Sequence, residues 1–177
     1  MRGAMVLAVA LPALVAGCGG SDRDRPPAPC PRITILSDGA DLTRFRPGAG
    51  EDLTALAADA RITAFNARCD YLSRNRGTEV TLTVTFEVER GPAATGGGTT
   101  LPWFVAISDA NDSEIISRRD FEIGVPFAGN TPRARSTTDP ISITFPTGSR
   151  RVSDYNMRIS FALTPEQLAF NRRRGPR

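Results

Sequence analysis

Residues 79–90 read Glu-Val-Thr-Leu-Thr-Val-Thr-Phe-Glu-Val-Glu-Arg. Val80, Leu82, Val84, Phe86 and Val88 fall on one side of an extended chain, and Thr81, Thr83, Thr85, Glu87 and Glu89 on the other. A period of two fits a strand with one buried and one wet face, and no helix gathers those five apolar residues on one side. Threonine on the wet face adds β propensity. So apolar a face needs a second layer to bury it.

The same alternation recurs. Ile141, Ile143 and Phe145 follow it, as do Tyr155, Met157, Ile159, Phe161 and Leu163. Ile33 and Ile35 open a first strand. Ile62 and Ala64, followed by Phe65, Ala67 and Cys69, predict a strand whose buried face switches midway, as at a bulge. Trp103, Val105 and Ile107 form another. Ile115 and Ile116, then Phe121, Ile123, Val125 and Phe127, form one more, with a break near Arg118 and Arg119. Turn-forming residues cluster at 91–98, 109–112, 129–132 and 146–148. About seven short alternating strands predict an all-β domain over roughly residues 30–164, an antiparallel immunoglobulin-like sandwich. Residues 52–59 stay open between a short helix and an irregular loop. Thr164-Pro165-Glu166-Gln167 reads as a helix start, with Thr164 as cap and Pro165 in the first turn. Residues 165–177 are therefore expected to form a short helix and a basic tail.

Ahead of this body, Arg2 precedes thirteen mostly apolar residues, 4–16. That is too short for a membrane span, which needs about 20, and fits the core of a secretory signal. It ends in Val15-Ala16-Gly17-Cys18, which resembles the lipobox of bacterial lipoproteins. The resemblance implies a diacylglyceryl thioether on Cys18, cleavage between Gly17 and Cys18, and acylation of the new amino group. Residues 1–17 are then the signal peptide. Two or more acyl chains make a stable anchor. Lipoproteins kept in the inner membrane often carry aspartate after the cysteine. Gly19 therefore points to the outer membrane, on the periplasmic side. A soluble secreted product with a chance cysteine is the plainer alternative. Residues 18–29 are the lipidated cysteine and a tether without apolar periodicity. Its eleven residues after Cys18 reach roughly 18 Å as a coil and about 34 Å fully extended.

Cys30 and Cys69 remain. In an oxidising compartment two leftover cysteines are expected to pair. The loop they close is worth about 4 kcal/mol in the chain-entropy description. It would staple the start of the domain to its second strand. A free thiol or redox pair is the other reading, without the Cys-x-x-Cys spacing to favour it.

The chain has no histidine, and all 22 basic residues are arginine. Without histidine there is no Ser–His–Asp or Cys–His catalysis and no imidazole metal site. Without lysine there is no Schiff base and no phosphate-loop lysine. The net charge is +3, and removal of Arg2 with the signal leaves +2, too little and too dispersed for nucleic acid. The expectation is a non-enzymatic protein without cofactor, held to a membrane by lipid and contacting an envelope protein or polymer.

As a whole the chain is similar to uncharacterised alphaproteobacterial lipoproteins with β-rich bodies. The residues that carry the resemblance are Cys30-Pro31-Arg32, residues 41–48 (Asp-Leu-Thr-Arg-Phe-Arg-Pro-Gly), residues 101–106 (Leu-Pro-Trp-Phe-Val-Ala) and residues 163–168 (Leu-Thr-Pro-Glu-Gln-Leu). It implies no activity.

Several residues admit a sharper reading beside a plain one. Asp109, Asn111 and Ser113 have the spacing of a calcium loop, but Glu114 stands where glycine is needed and Asp120 where glutamate is needed. A hairpin turn explains them as well. Glu87 and Glu89 share a strand face at a spacing open to a carboxylate pair for hydrolysis, or are simply a wet face. A lipid-anchored carboxylate enzyme or calcium binder is thus the alternative function. The glycines at 96–98 lack the context of a phosphate cradle and read as a hairpin tip. Trp103 is either a core anchor or a contact hot spot on an exposed edge. Arg172, Arg173, Arg174 and Arg177 are either a solvated tail or a contact for anionic lipid, lipopolysaccharide or a partner.

Overall fold

The computed structural model describes residues 26–129, 131–148 and 150–175. The expected signal peptide, its Gly17–Cys18 cleavage site and the tether through Arg25 lie outside those residues, as does Arg177. Nine strands form among the described residues: β1 (Arg32–Ile35), β2 (Asp41–Phe45), β3 (Leu56–Tyr71), β4 (Gly77–Arg90), β5 (Gly98–Asp109), β6 (Ile115–Pro126), β7 (Arg133–Thr137), β8 (Ile141–Pro146) and β9 (Tyr155–Phe161). One helix, α1 (Pro165–Arg174), follows.

The strands make two sheets. One has the order β1-β9-β5-β6. The other runs β2-β3-β4, with β7 and β8 both on the far edge of β4. In β4 the predicted alternation holds: Val80, Leu82, Val84 and Phe86 are 0% exposed. They face Trp103, Val105, Met157, Ile159 and Phe161 of the other sheet in one continuous core. The Phe86 ring meets Trp103 edge-on at 5.4 Å and Phe161 at 5.6 Å, joining the layers.

Several expectations need correction. The strands number nine, not seven; β2 and β7 are the additions. The sandwich is not wholly antiparallel, because β1 runs parallel to β9, Arg32 opposite Asn156 and Ile35 opposite Ile159. Cys69 lies on the third strand. β6 is unbroken at Arg118 and Arg119. There Arg119 keeps the inward position of the alternation: its guanidinium lies 5.2 Å over the Phe121 ring and donates to the Ser142 carbonyl of β8 at 3.0 Å. Arg118 turns outward, 3.8 Å over the Phe104 ring. Residues 52–59 split into a 3-10 turn (Leu53–Ala55), with Asp52 accepting from the Thr54 amide, and the start of β3.

The β3 bulge is where the sequence placed it, a register shift between Ile62 and Ala64. Beyond it Phe65, Ala67 and Cys69 pack against the core. β7 and β8 behave as one interrupted edge. Between them the Thr138 amide donates to the Val84 carbonyl, and the Thr138 hydroxyl accepts from the Val84 amide, so the ladder survives the break before Pro140.

The helix starts as predicted. Thr164 Oγ1 accepts from the Gln167 amide at 3.3 Å, and Gln167 Oε1 accepts from the Thr164 amide at 2.9 Å, a capping box. The helix extends through Arg174, taking in the arginines expected in a tail. Phe170 meets Phe45 edge-on at 5.4 Å, and buried Asn171 donates to the Asp38 and Asp41 carbonyls at 2.9 and 2.7 Å. The helix is thereby fixed to the β2 flank.

Candidate functional site

The outward face of the five-stranded sheet carries two rows of charge. In one, β-ladder register aligns Asp59, Glu89 and Arg133; in the next, Arg61, Glu87 and Arg135. Both rows arise from the period of two, because every second residue of β3, β4 and β7 faces outward. Arg135 pairs closely with Glu87. Arg133 Nη2 is 3.3 Å from Glu89 Oε2, and Arg61 Nε is 3.4 Å from Asp41 Oδ1. These six side chains line an open groove of about 490 Å³. Glu87 and Glu89 therefore each carry an arginine partner and stand on an open surface, not in a closed cleft that excludes water. The arrangement offers alternating forked donors and carboxylate acceptors to a charged or polar chain laid across it.

The helix arginines do not hang free. Arg172 Nε is 2.9 Å from Asp38 Oδ2, and Arg173 Nη2 reaches both oxygens of Glu51 at 2.7 and 2.8 Å. Arg174 turns inward, with Nη1 3.0 Å from the Thr43 hydroxyl and Nη2 3.4 Å from Asp41 Oδ2. Their ion pairs lie along the helix that Asn171 docks. Trp103 is likewise inside: it is 1% exposed and stacks on Phe121 at 4.7 Å. No surface of the indole is left for a partner, so Trp103 is a core residue and not a contact.

The predicted hairpin at 109–114 forms, and its oxygens are engaged by their own turn. Asp109 Oδ1 accepts from the Ser113 and Glu114 amides at 2.7 and 3.1 Å, and Oδ2 from the Ser113 hydroxyl at 2.6 Å. The Ser113 hydroxyl, and then the Glu114 amide, hold this carboxyl below the usual range. Asp112, at φ 57°, accepts from Arg158, Asn156 and Ser108. The Arg158 bond above all, with Ser108 next, lowers its pKa to about 2. Among the described residues no three acidic or cysteine side chains converge where a metal would sit.

Cys30 and Cys69 are joined, S–S 2.00 Å, across 39 positions. Cys30 leads into β1 and Cys69 lies two residues from the end of β3, so the bond ties the two sheets at the end where the tether enters. The Tyr71 hydroxyl donates to the Pro27 carbonyl there, at 3.5 Å. The rows at Asp59, Arg61, Arg133 and Arg135 were not among the sites expected from the sequence. Period-two charge in β3 and β7 was the available signal, but β7 was not recognised as a strand.

Compared with protein-family models, curated proteins and solved structures, the chain matches none.

Proposed function

We propose that this chain is an exported lipoprotein, anchored through Cys18 at the periplasmic face of the outer membrane. Its two-sheet domain serves as a non-enzymatic binding module for an envelope protein or polymer. The observation that carries the reading is the Cys30–Cys69 bond. It accounts for two of the three cysteines and suits an oxidising compartment. The third, Cys18, sits directly behind the apolar run, where a lipobox cysteine belongs.

The charged face of β3, β4 and β7 is the contact surface in this reading. Its arginines present forks and its glutamates present acceptors, which suits recognition by charge-assisted hydrogen bonds. The domain is immunoglobulin-like in layering and in its buried tryptophan. The consecutive run β2-β3-β4, and the seating of β9 between β1 and β5, depart from the immunoglobulin strand order.

Crosslinking in intact cells, with partners identified by mass spectrometry, tests the function. One dominant envelope partner is expected, lost when Cys18→Ala is exported behind a cleavable signal. It should weaken in the double variant Arg133→Glu, Arg135→Glu. A partner indifferent to those two changes would remove this face from the contact. Turnover by the purified protein, abolished by one point change, would overturn the non-enzymatic reading.

A further inference from the structure

We infer that the end of the domain nearest the tether is itself a lipid-contacting surface, seated on anionic headgroups. The inference rests on the lipid-anchored reading. It starts from where arginines gather. Arg32 opens β1; Arg74 and Arg76 lie in the β3–β4 connection; Arg150 and Arg151 lie in the β8–β9 connection. Register places them at one end: Arg32 lies opposite Asn156 at the start of β9, Gly77 lies opposite Pro146, and the Thr147 amide donates to the Arg76 carbonyl at 3.1 Å. All five side chains are exposed. Among the described residues none of the five has a carboxylate within 4 Å, Arg150 acting on Asp109 only at longer range, whereas the arginines of α1 and β7 all do.

Most carboxylates at this end are already engaged. Asp70 pairs with Arg68, Asp112 with Arg158, Asp109 accepts from its own turn, and Asp154 accepts from the Arg151 amide. Among the described residues Glu79 and Glu114 are the remaining ones. The same end also holds two adjacent exposed apolar residues. Ile115 and Ile116 are 70% and 44% exposed at the start of β6, just after the hairpin whose Asp109 lies opposite Tyr155. Arginines that meet lipid phosphates, beside isoleucines that enter the interfacial layer, are the two halves of an interfacial contact. The tether joins here, at Cys30 and Pro27, and a coil of its length spans only roughly 18 Å. An anchored domain thus presents this end to the membrane before any other.

Full-length protein, reconstituted in phosphatidylethanolamine vesicles with either phosphatidylglycerol or phosphatidylcholine, tests this. A fluorophore is placed on Ile115→Cys or, at the opposite end, on Thr95→Cys, and quenching by spin-labelled lipid is read. With phosphatidylglycerol, quenching at position 115 should exceed that at position 95 at least threefold. The triple variant Arg74→Gln, Arg150→Gln, Arg151→Gln should bring it down to the phosphatidylcholine level. Equal quenching at the two positions overturns the inference, as does a signal at 115 that the triple variant leaves unchanged. Failure of the anchor itself reads differently: the fluorophore then labels Cys18 in protein carrying neither substitution.

Discussion

Arg158 Nη2 lies 2.5 Å from Asp112 Oδ2, and this pair fastens the 109–114 hairpin to β9. Asn156 and Ser108, 1% and 4% exposed, donate to the same carboxylate. Asp112→Ala should cost about 1 kcal/mol, the half-exposed carboxylate being discounted for screening. Thermal melting at neutral pH should show a Tm lower by about 3 °C. The folded-state pKa lies below the ordinary value, so the contribution is fully present above 3.8 and is lost as pH falls through about 2. Melting curves of the two proteins should therefore converge in strong acid. A gap that stays constant down to that pH would contradict the charge pairing.

The disulfide predicts a large redox effect. Cys30→Ser with Cys69→Ser, or reduction of the native bond, should lower stability by about 4 kcal/mol. Denaturant titration with and without a reductant measures it. Coincident curves would mean that the two sheets hold together at the tether end without the bond.

Trp103 is the sole tryptophan and is buried, so its emission reports the core directly. The native spectrum should be blue-shifted and insensitive to iodide. Trp103→Ala should cost about 3–5 kcal/mol through lost packing against Phe86 and Phe121. Iodide quenching of the folded protein would place the indole at the surface instead.

Helix docking separates buried from exposed contacts. Asn171→Ala removes two hydrogen bonds to β2-flank carbonyls and should cost about 2 kcal/mol, exposing α1 to proteolysis. Arg173→Ala breaks an exposed pair with Glu51 and should cost less than about 0.5 kcal/mol. Equal losses would show that the surface pair holds the helix as firmly as Asn171 does and would contradict this ranking.

The parts of the fold legible in the sequence were those whose apolar residues alternate within one strand: β4, β8, the bulged β3, and β9, where Asn156 and Ser160 are buried as well. β2 was hidden because Leu42 is buried beside Asp41 and Thr43, which are buried too, and its two apolar residues, Leu42 and Phe45, stand three apart and break the period of two. β7 was hidden because Arg-Ala-Arg-Ser-Thr on a sheet edge has one small apolar residue to show. The parallel pairing of β1 with β9 joins the two ends of the domain, and no local pattern encodes it. The same holds for the arginines. Arg172 and Arg173 looked like a free basic tail, yet their carboxylates stand 134 and 122 positions away. The arginines at 74, 150 and 151 were scattered in turns and gathered only on folding.

Intact mass spectrometry of the mature protein, purified from cell membranes, tests the lipid anchor most directly. The predicted species begins at Cys18 and carries diacylglyceryl and acyl mass on that residue. A species that keeps Met1, or that presents Cys18 as an unmodified thiol, would contradict it.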